Sequence, residues 1–412
     1  MTIKFDLATN FDNELIRKVA PLGIVRNVYG KLSEDIIGGG RPSFALPKVS
    51  KKELNQHIQV CHENGISFNY LFNALCMDNR ELSRKTNKQI RDFIRFIEDS
   101  GADSVTVGSP LLLRIAKETS PELEVEVSIY NDIDSLAKIK EWERLGADEL
   151  TLHYSYNRNF KKLEQVLRSS DMNFRLIANN VCMHECLFRT NHAVALAHAS
   201  QSKHESRGFF LDYFSLKCGA EKLANPVKLI SADWIRPEDV HFYEELCDKI
   251  GKSNLTLKLT DRSRSTDWLV NVANAYASRS YEGNLFDILN YIGNREYAQV
   301  HKKPFVLATI LNKALFKKML EFQKAVFLTP VYAENKSLDG FMEPILSRDC
   351  SNYICDDQGW KEEASASSNC TYCRRWAERV LQFPAGENAR KTKLEECASL
   401  VKDFETGKMY SK

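Results

Sequence analysis

Ser100-Gly101-Ala102-Asp103-Ser104-Val105-Thr106-Val107 closes a helix-period segment with a glycine and opens a short run of alternating β-branched residues. The same grammar returns at Asn64-Gly65-Ile66-Ser67-Phe68-Asn69-Tyr70 and at Leu145-Gly146-Ala147-Asp148-Glu149-Leu150-Thr151-Leu152. Glycine takes the left-handed conformation that ends a helix, and the run behind it suits a buried parallel strand. Helix and strand alternating at this spacing predict an α/β fold, a TIM-like (β/α)8 barrel. Further strands are expected at Leu123–Ile129, Phe174–Ala178, Val227–Ile230 and Leu255–Leu259, and one near Leu22–Val28 completes eight.

Beyond about residue 280 the alternation stops. The expected organisation is an opening segment with the first strand over residues 1–50, the barrel core over 51–280, and a C-terminal subdomain over 281–412 with a four-cysteine metal site. That subdomain contains a strand-like Phe305-Val306-Leu307 and a charged terminal helix from about Asn388 to Thr406.

The chain has 412 residues, 43% hydrophobic and 27% charged, the composition of an ordinary globular protein with a large core. Its formal charge of +2 gives no basic excess for non-specific nucleic-acid binding. The start, Met1-Thr2-Ile3-Lys4-Phe5-Asp6, lacks the pattern of a signal peptide and no stretch has the apolar length of a membrane span, so a cytoplasmic location without membrane partners is expected. In a reducing compartment, 11 cysteines point to metal or cluster ligation where they are closely spaced.

In an α/β barrel the residues after each strand line the active-site mouth. Those segments hold Asn73-Ala74-Leu75-Cys76, His153-Tyr154-Ser155-Tyr156-Asn157-Arg158, Asp233-Trp234-Ile235-Arg236-Pro237-Glu238-Asp239 and Thr260-Asp261-Arg262-Ser263-Arg264. Pro237, Glu238 and Asp239 read as a helix first turn, which leaves Arg236 as the last loop residue, facing the mouth. Arg236, Lys258, Arg262 and Arg264 would form a cationic rim suited to a dicarboxylic acid, or would pair with Glu238, Asp239 and Asp261. Earlier in the chain, Gly38-Gly39-Gly40 with Arg41 reads either as backbone approaching an anion or as a flexible loop.

Cys182 and Cys186 stand in a C-x3-C spacing after the Phe174–Ala178 run, and Cys218 follows a long excursion. Together they are read as thiolate ligands of a 4Fe-4S cluster, with Cys76 as a candidate fourth; the alternative is a set of buried structural thiols. A radical S-adenosylmethionine site would need a cysteine where Arg189 stands. Cys350, Cys355, Cys370 and Cys373, spaced C-x4-C-x14-C-x2-C, read as a second four-thiolate site for zinc or another 4Fe-4S cluster. His153, His184 and His192 are candidates for proton transfer, His184 foremost because it sits between two expected ligands.

The barrel grammar, the Gly101-Ala102-Asp103-Ser104-Val105 and Gly146-Ala147-Asp148 junctions, the cysteine stretch and Trp234-Ile235-Arg236-Pro237-Glu238-Asp239 resemble peptidase family U32 over about residues 50–280. Relatives in that family include oxygen-independent hydroxylases of ubiquinone precursors, ribosomal RNA and tRNA. The resemblance implies a barrel with a 4Fe-4S cluster on cysteines around its mouth and oxygen transfer without dioxygen, prephenate being the donor. Here Cys182 and Cys186 are closer together than the family's longer, glycine-rich spacing.

The first expectation is therefore an iron-sulfur enzyme hydroxylating, or otherwise modifying by redox chemistry, a small molecule or an RNA base, with His184, Arg236, Lys258 and Arg262 in its catalytic site. The second is a peptidase of the U32 type, although neither H-E-x-x-H nor G-x-S-x-G occurs. A third is a binding module whose zinc-bearing C-terminal cysteines contact RNA or a protein partner.

Overall fold

The computed structural model describes residues 2–202, 212–294, 313–326, 328–348, 350, 354–355 and 369–410. Its strands are β1 Phe5–Ala8, β2 Val25–Gly30, β3 Ser67–Phe72, β4 Ser104–Val107, β5 Glu124–Val127, β6 Glu149–Thr151, β7 Asn173–Ile177 and β8 Leu255–Leu259. All pair in parallel and in chain order, and β8 closes on β1 with Lys258 opposite Asp6. The result is a TIM-like (β/α)8 barrel.

The strand expected at Val227–Ile230 is a helical turn instead, and β1 supplies the eighth strand. A four-residue apolar run carries too little periodicity to separate strand from helix, and Pro226 just before it pre-sets a helical start. The glycine punctuation holds: Gly101 and Gly146 have φ of 89° and 90°, positions a side chain rarely tolerates. Serines cap several barrel helices. Ser50 accepts from the Glu53 amide at 3.2 Å while Glu53 accepts from the Ser50 amide at 2.7 Å, a closed capping box that fixes the start of the helix Lys51–Glu63.

Alternation along the strands sends apolar side chains outward and polar ones inward. Phe5 meets Tyr276 of the helix Thr266–Ser278 at 5.6 Å between ring centroids, and Phe68 meets His57 of the helix Lys51–Glu63 at 6.2 Å. Inside, the fully buried Arg175 of β7 pairs with Asp6 of β1 at 2.5 Å, Glu126 of β5 at 2.6 Å and Glu149 of β6 at 2.9 Å. Arg26 of β2 adds pairs to Asp6 at 2.9 Å and Glu149 at 2.6 Å. Asn69, Ser104 and Thr106 extend the network to β3 and β4 through hydrogen bonds among themselves and to Glu126. One interior network of ion pairs and hydrogen bonds thus draws on β1 to β7.

The chain divides into two compact units. The first comprises Met1–Asn179, Arg189–Phe210 and Trp234–Tyr281 and contains the barrel; the second comprises Asn180–Phe188, Leu211–Asp233 and Glu282–Lys412. In the second unit the helices Tyr213–Ala224 and Gly386–Glu405 pack together, with the Tyr213 hydroxyl donating to Glu405 at 3.0 Å. Phe341, Tyr372 and Trp376 form an aromatic cluster, and Ile354–Cys355 pairs in parallel with Asn369–Cys370. The expected terminal helix is the helix Gly386–Glu405, while Phe305-Val306-Leu307 lies outside the described residues. Among the described residues no helix is long and apolar enough to cross a membrane.

Candidate functional site

The C-terminal end of the barrel gathers cations. Lys258, one residue from the end of β8, is buried and its Nζ lies 3.7 Å from the centroid of the Tyr29 ring on β2. Burial lowers the Lys258 ammonium to about 7; the Arg175 charge acts the same way, against Glu126 and Asp6. A lysine in this state exchanges its proton near neutrality.

Arg262 is buried in the loop after β8, and its Nη1 has no hydrogen-bond partner among the described residues. Its pKa is lowered by burial first and by the neighbouring Arg41 charge second. Arg41 itself donates to Asp261 at 3.2 Å and to the Gly40 carbonyl at 3.0 Å. Burial opposes the Arg41 charge, but Asp261 and Tyr130 outweigh it and the net shift is upward. Asp261 also accepts from the Ser263 amide at 3.2 Å and hydroxyl at 2.9 Å, so this carboxylate is already heavily engaged. Tyr29 links the set: its hydroxyl donates to the Leu259 carbonyl at 2.9 Å, and burial, ahead of the charges of Arg262, Asp261 and Arg41, pushes its pKa up. It remains a neutral donor.

The glycine run is neither a flexible loop nor an open anion cradle. The amide of Gly38 donates to Asp35 at 2.5 Å, that of Gly39 to the Ser200 hydroxyl at 2.7 Å and that of Gly40 to Asn73 at 3.2 Å. A Cβ at Gly40 would stand 2.2 Å from the Tyr130 hydroxyl, so only glycine lets the loop pass and carry Arg41 to Asp261. Beside it, the buried Lys31 pairs with Asp35 at 2.9 Å, and Tyr70 donates to the same carboxylate at 2.9 Å.

Of the expected site residues, Lys258 and Arg262 share this mouth. Arg264 lies over the Trp268 ring at 4.5 Å. Arg236 is buried and donates twice to Asp239, at 3.0 and 2.9 Å, so its charge is matched locally. The rest of its motif is structural: Ile235 donates to the Ala178 carbonyl at 2.8 Å, and the Trp234 carbonyl accepts from Arg158, whose guanidinium lies 4.2 Å from the Trp234 ring. His153 bonds Ser155 at 2.8 Å and the Arg189 guanidinium.

The second unit holds the cysteine stretch. Cys182, Cys186 and Cys218 are all partly buried. Lys222, one helical turn beyond Cys218 on the helix Tyr213–Ala224, donates to the carbonyl of Val181. That bond holds the Cys218 face of the helix to the residue preceding Cys182. His184, between Cys182 and Cys186, bonds Asp233 through Nδ1 at 3.0 Å, a pair that fixes the ring's orientation. Cys76 belongs to the first unit, where it lies near Asp78 and His198. In the tail, Cys350 and Cys373 are partly buried and the backbones of Cys355 and Cys370 stand opposite one another; the side chains of the latter two lie outside the described residues.

The reading from sequence missed Tyr29, Lys31 and Asp35 because β2 was expected to end at Val28. Extending the strand by two residues would have made Tyr29 and Lys31 mouth residues under the rule that found Arg262.

Residues 42–191 match the model of peptidase family U32. Over 348 residues the chain is 24% identical to an uncharacterized protease of Methanocaldococcus jannaschii, spanning 84% of this chain and 86% of that one. It is 22% identical over 180 residues to tRNA hydroxylation protein P of Escherichia coli, spanning 40% of this chain and 36% of the other. A solved U32 peptidase structure overlays with a TM-score of 0.46 at 19% identity, covering 63% of this chain and 93% of that one.

Proposed function

From the match of residues 42–191 to peptidase family U32 we propose an iron-sulfur enzyme that carries out oxygen-independent hydroxylation or related redox modification, drawing on an anionic small molecule bound at the barrel mouth. The observation that carries the reading is Arg262: a buried guanidinium with Nη1 unpartnered among the described residues, beside Arg41 and Tyr29, with the neighbouring Asp261 carboxylate already engaged. A buried donor of this kind is costly unless an acceptor arrives, and a carboxylate matches it in charge and in planar geometry. A dicarboxylic acid of the prephenate type offers one carboxylate to Arg262 and another to Lys258. Tyr29, its hydroxyl hydrogen committed to the Leu259 carbonyl, would back Lys258 with its ring and exclude water from the floor.

Cys182, Cys186 and Cys218 are the residues that would hold a cluster, and their grouping in one unit with partial burial fits thiolate ligation. When bound, a 4Fe-4S cluster supplies one-electron chemistry that no side chain provides. The hydroxylation named for the Escherichia coli relative supports this reading, as does the spacing of the cysteines. The acceptor would be a small molecule or an RNA base.

The test compares wild type, the paired Cys182→Ala, Cys186→Ala variant and Arg262→Gln, all purified without air. Expected are about four irons with matching sulfide and a brown colour in wild type and in Arg262→Gln, lost in the cysteine pair. Calorimetric titration with prephenate should show binding to wild type and a loss of about tenfold or more in Arg262→Gln. Colourless wild-type protein containing only zinc would sink the redox reading. It would favour a peptidase, as the Methanocaldococcus jannaschii relative is named, or a zinc-bearing binding module.

A further inference from the structure

We propose that Cys76, Asp78 and His198 form a mononuclear zinc site with its fourth position open to water or a substrate oxygen. The inference is independent of the anion site and lies wholly within the barrel unit. Among the described residues, these three side chains bring one sulfur, one carboxylate oxygen and one ring nitrogen within 4.8 Å of one another. Asp78 Oδ1 lies 3.8 Å from Cys76 Sγ and 3.1 Å from His198 Nε2. Around a tetrahedral zinc, a sulfur at ~2.3 Å and an oxygen at ~2.0 Å stand about 3.5 Å apart and a nitrogen and an oxygen about 3.3 Å, so the two separations from Asp78 need only a few tenths of an ångström of adjustment.

The frame is built to hold that approach. Cys76 follows β3, and the left-handed backbone at Asp78 and Asn79, with φ of 55° and 57°, turns the carboxylate back toward the sulfur. The Asp78 amide donates to Cys76 Sγ at 3.4 Å, which fixes the sulfur's position beside the carboxylate. His198 comes from the helix Arg189–Ala199, and Gln201, just past that helix, donates to the Cys76 carbonyl at 2.7 Å. The Gln201 side-chain oxygen in turn accepts from Arg80, whose Nε donates to the Met77 carbonyl at 3.1 Å. Both ligand-bearing segments are therefore cross-linked within a few residues of their ligands, as the outer contacts of a metal site are.

A thiol, a carboxylate and an imidazole placed together gain most from one shared cation. A proton bridges one pair of them; a divalent metal satisfies all three. Thiolate with imidazole selects zinc over magnesium or calcium, and three protein ligands with a carboxylate 41% exposed at the surface leave room for a fourth, exchangeable ligand. Cys76 is then committed to this site, and the cluster draws on Cys182, Cys186 and Cys218.

The test measures zinc and iron in full-length wild type, Cys76→Ser and His198→Gln, purified anaerobically from zinc-supplemented cells. Each variant should carry one zinc fewer per chain than wild type, with iron unchanged. Equal zinc in all three proteins, or loss of iron instead of zinc in Cys76→Ser, overturns the assignment. X-ray absorption at the zinc edge of wild type needs no variant to fold: nitrogen or oxygen scatterers at about 2.0–2.1 Å beside sulfur at about 2.3 Å support the site, and sulfur alone overturns it.

Discussion

Lys258 is the residue on which the barrel mouth turns. Its folded value of about 7 lies below the ordinary lysine range near ~10.4, so between these limits the unfolded chain binds more protons than the native one. Burying the lysine therefore costs stability in full at and below about pH 7, and the cost fades as pH rises toward ~10. Ligand binding runs the other way. A dicarboxylate that meets the ammonium should bind progressively less well as pH rises through about 7, because the neutral amine has no charge to offer. Calorimetry from pH 6 to pH 8.5 should show affinity falling by about tenfold in wild type and a flat profile in Lys258→Met, since Arg262 and Arg41 stay charged throughout. An unchanged pH profile in Lys258→Met would remove the lysine from the site. Lys258 and Arg262 were legible in the sequence because they end or follow a strand whose alternation is plain. Arg41 was singled out beside the glycine run, but its meeting with Asp261 was not legible, because a glycine-rich loop gives no sign of where it brings its next residue. The meeting of Asp78 with His198 was hidden too: one lies after β3, the other on a helix after β7, and no local pattern couples them.

At the level of elements, the barrel is held by an unusual interior. The strands were readable from outward-facing residues such as Phe68, Val105 and Leu150, and the helices from their glycine ends and serine caps. β1 was not read as a strand because it is four residues long and shares its alternation with many short segments. Nor did the sequence show that Asp6, Glu126, Glu149 and Arg175 converge, since each is a single charge in a different strand. Burial pushes the Glu126 carboxyl up, yet Arg175 outweighs it and holds it down at about 2; in Glu149 burial wins and the shift is upward. Glu126 thus stabilises the fold above the ordinary carboxylate value near ~4.3 and loses that contribution as pH falls toward about 2. Arg175→Met leaves three carboxylates around an apolar side chain and should cost about 3–5 kcal/mol in urea unfolding. Adding Glu126→Gln to Arg175→Met should recover part of that loss, because one of the uncompensated charges is gone. If Arg175→Met unfolds at the wild-type urea concentration, the network does not support the barrel.

At the scale of the whole chain, the path between units matters more than either one alone. The chain leaves the barrel unit after Asn179, returns at Arg189, leaves again and returns at Trp234 before its last departure after Tyr281. No single cut separates the two units. A chain ending at Tyr281 would keep every residue of the barrel unit, yet it would also keep Asn180–Phe188 and Leu211–Asp233 without the rest of their own unit. The helix Tyr213–Ala224 would lose the helix Gly386–Glu405, and the turn Val227–Ile230 would lose the helix Tyr372–Val380. Leu216, Leu223, Leu229 and Ile230, all buried in the full chain, are the residues this uncovers. Each apolar side chain of that size contributes about 1.5–3 kcal/mol when fully buried, so the local fold around Cys218 should not persist without its partners. The truncated chain should retain far-ultraviolet dichroism typical of an α/β barrel, bind a hydrophobic dye strongly and associate as concentration rises. Although it keeps Cys182, Cys186 and Cys218, it should fail to retain the iron expected of the full chain, since the helix face that carries Cys218 is no longer held. A truncated chain that stays monomeric, ignores the dye and carries a full iron complement would show that residues after Tyr281 do not support the cysteine site.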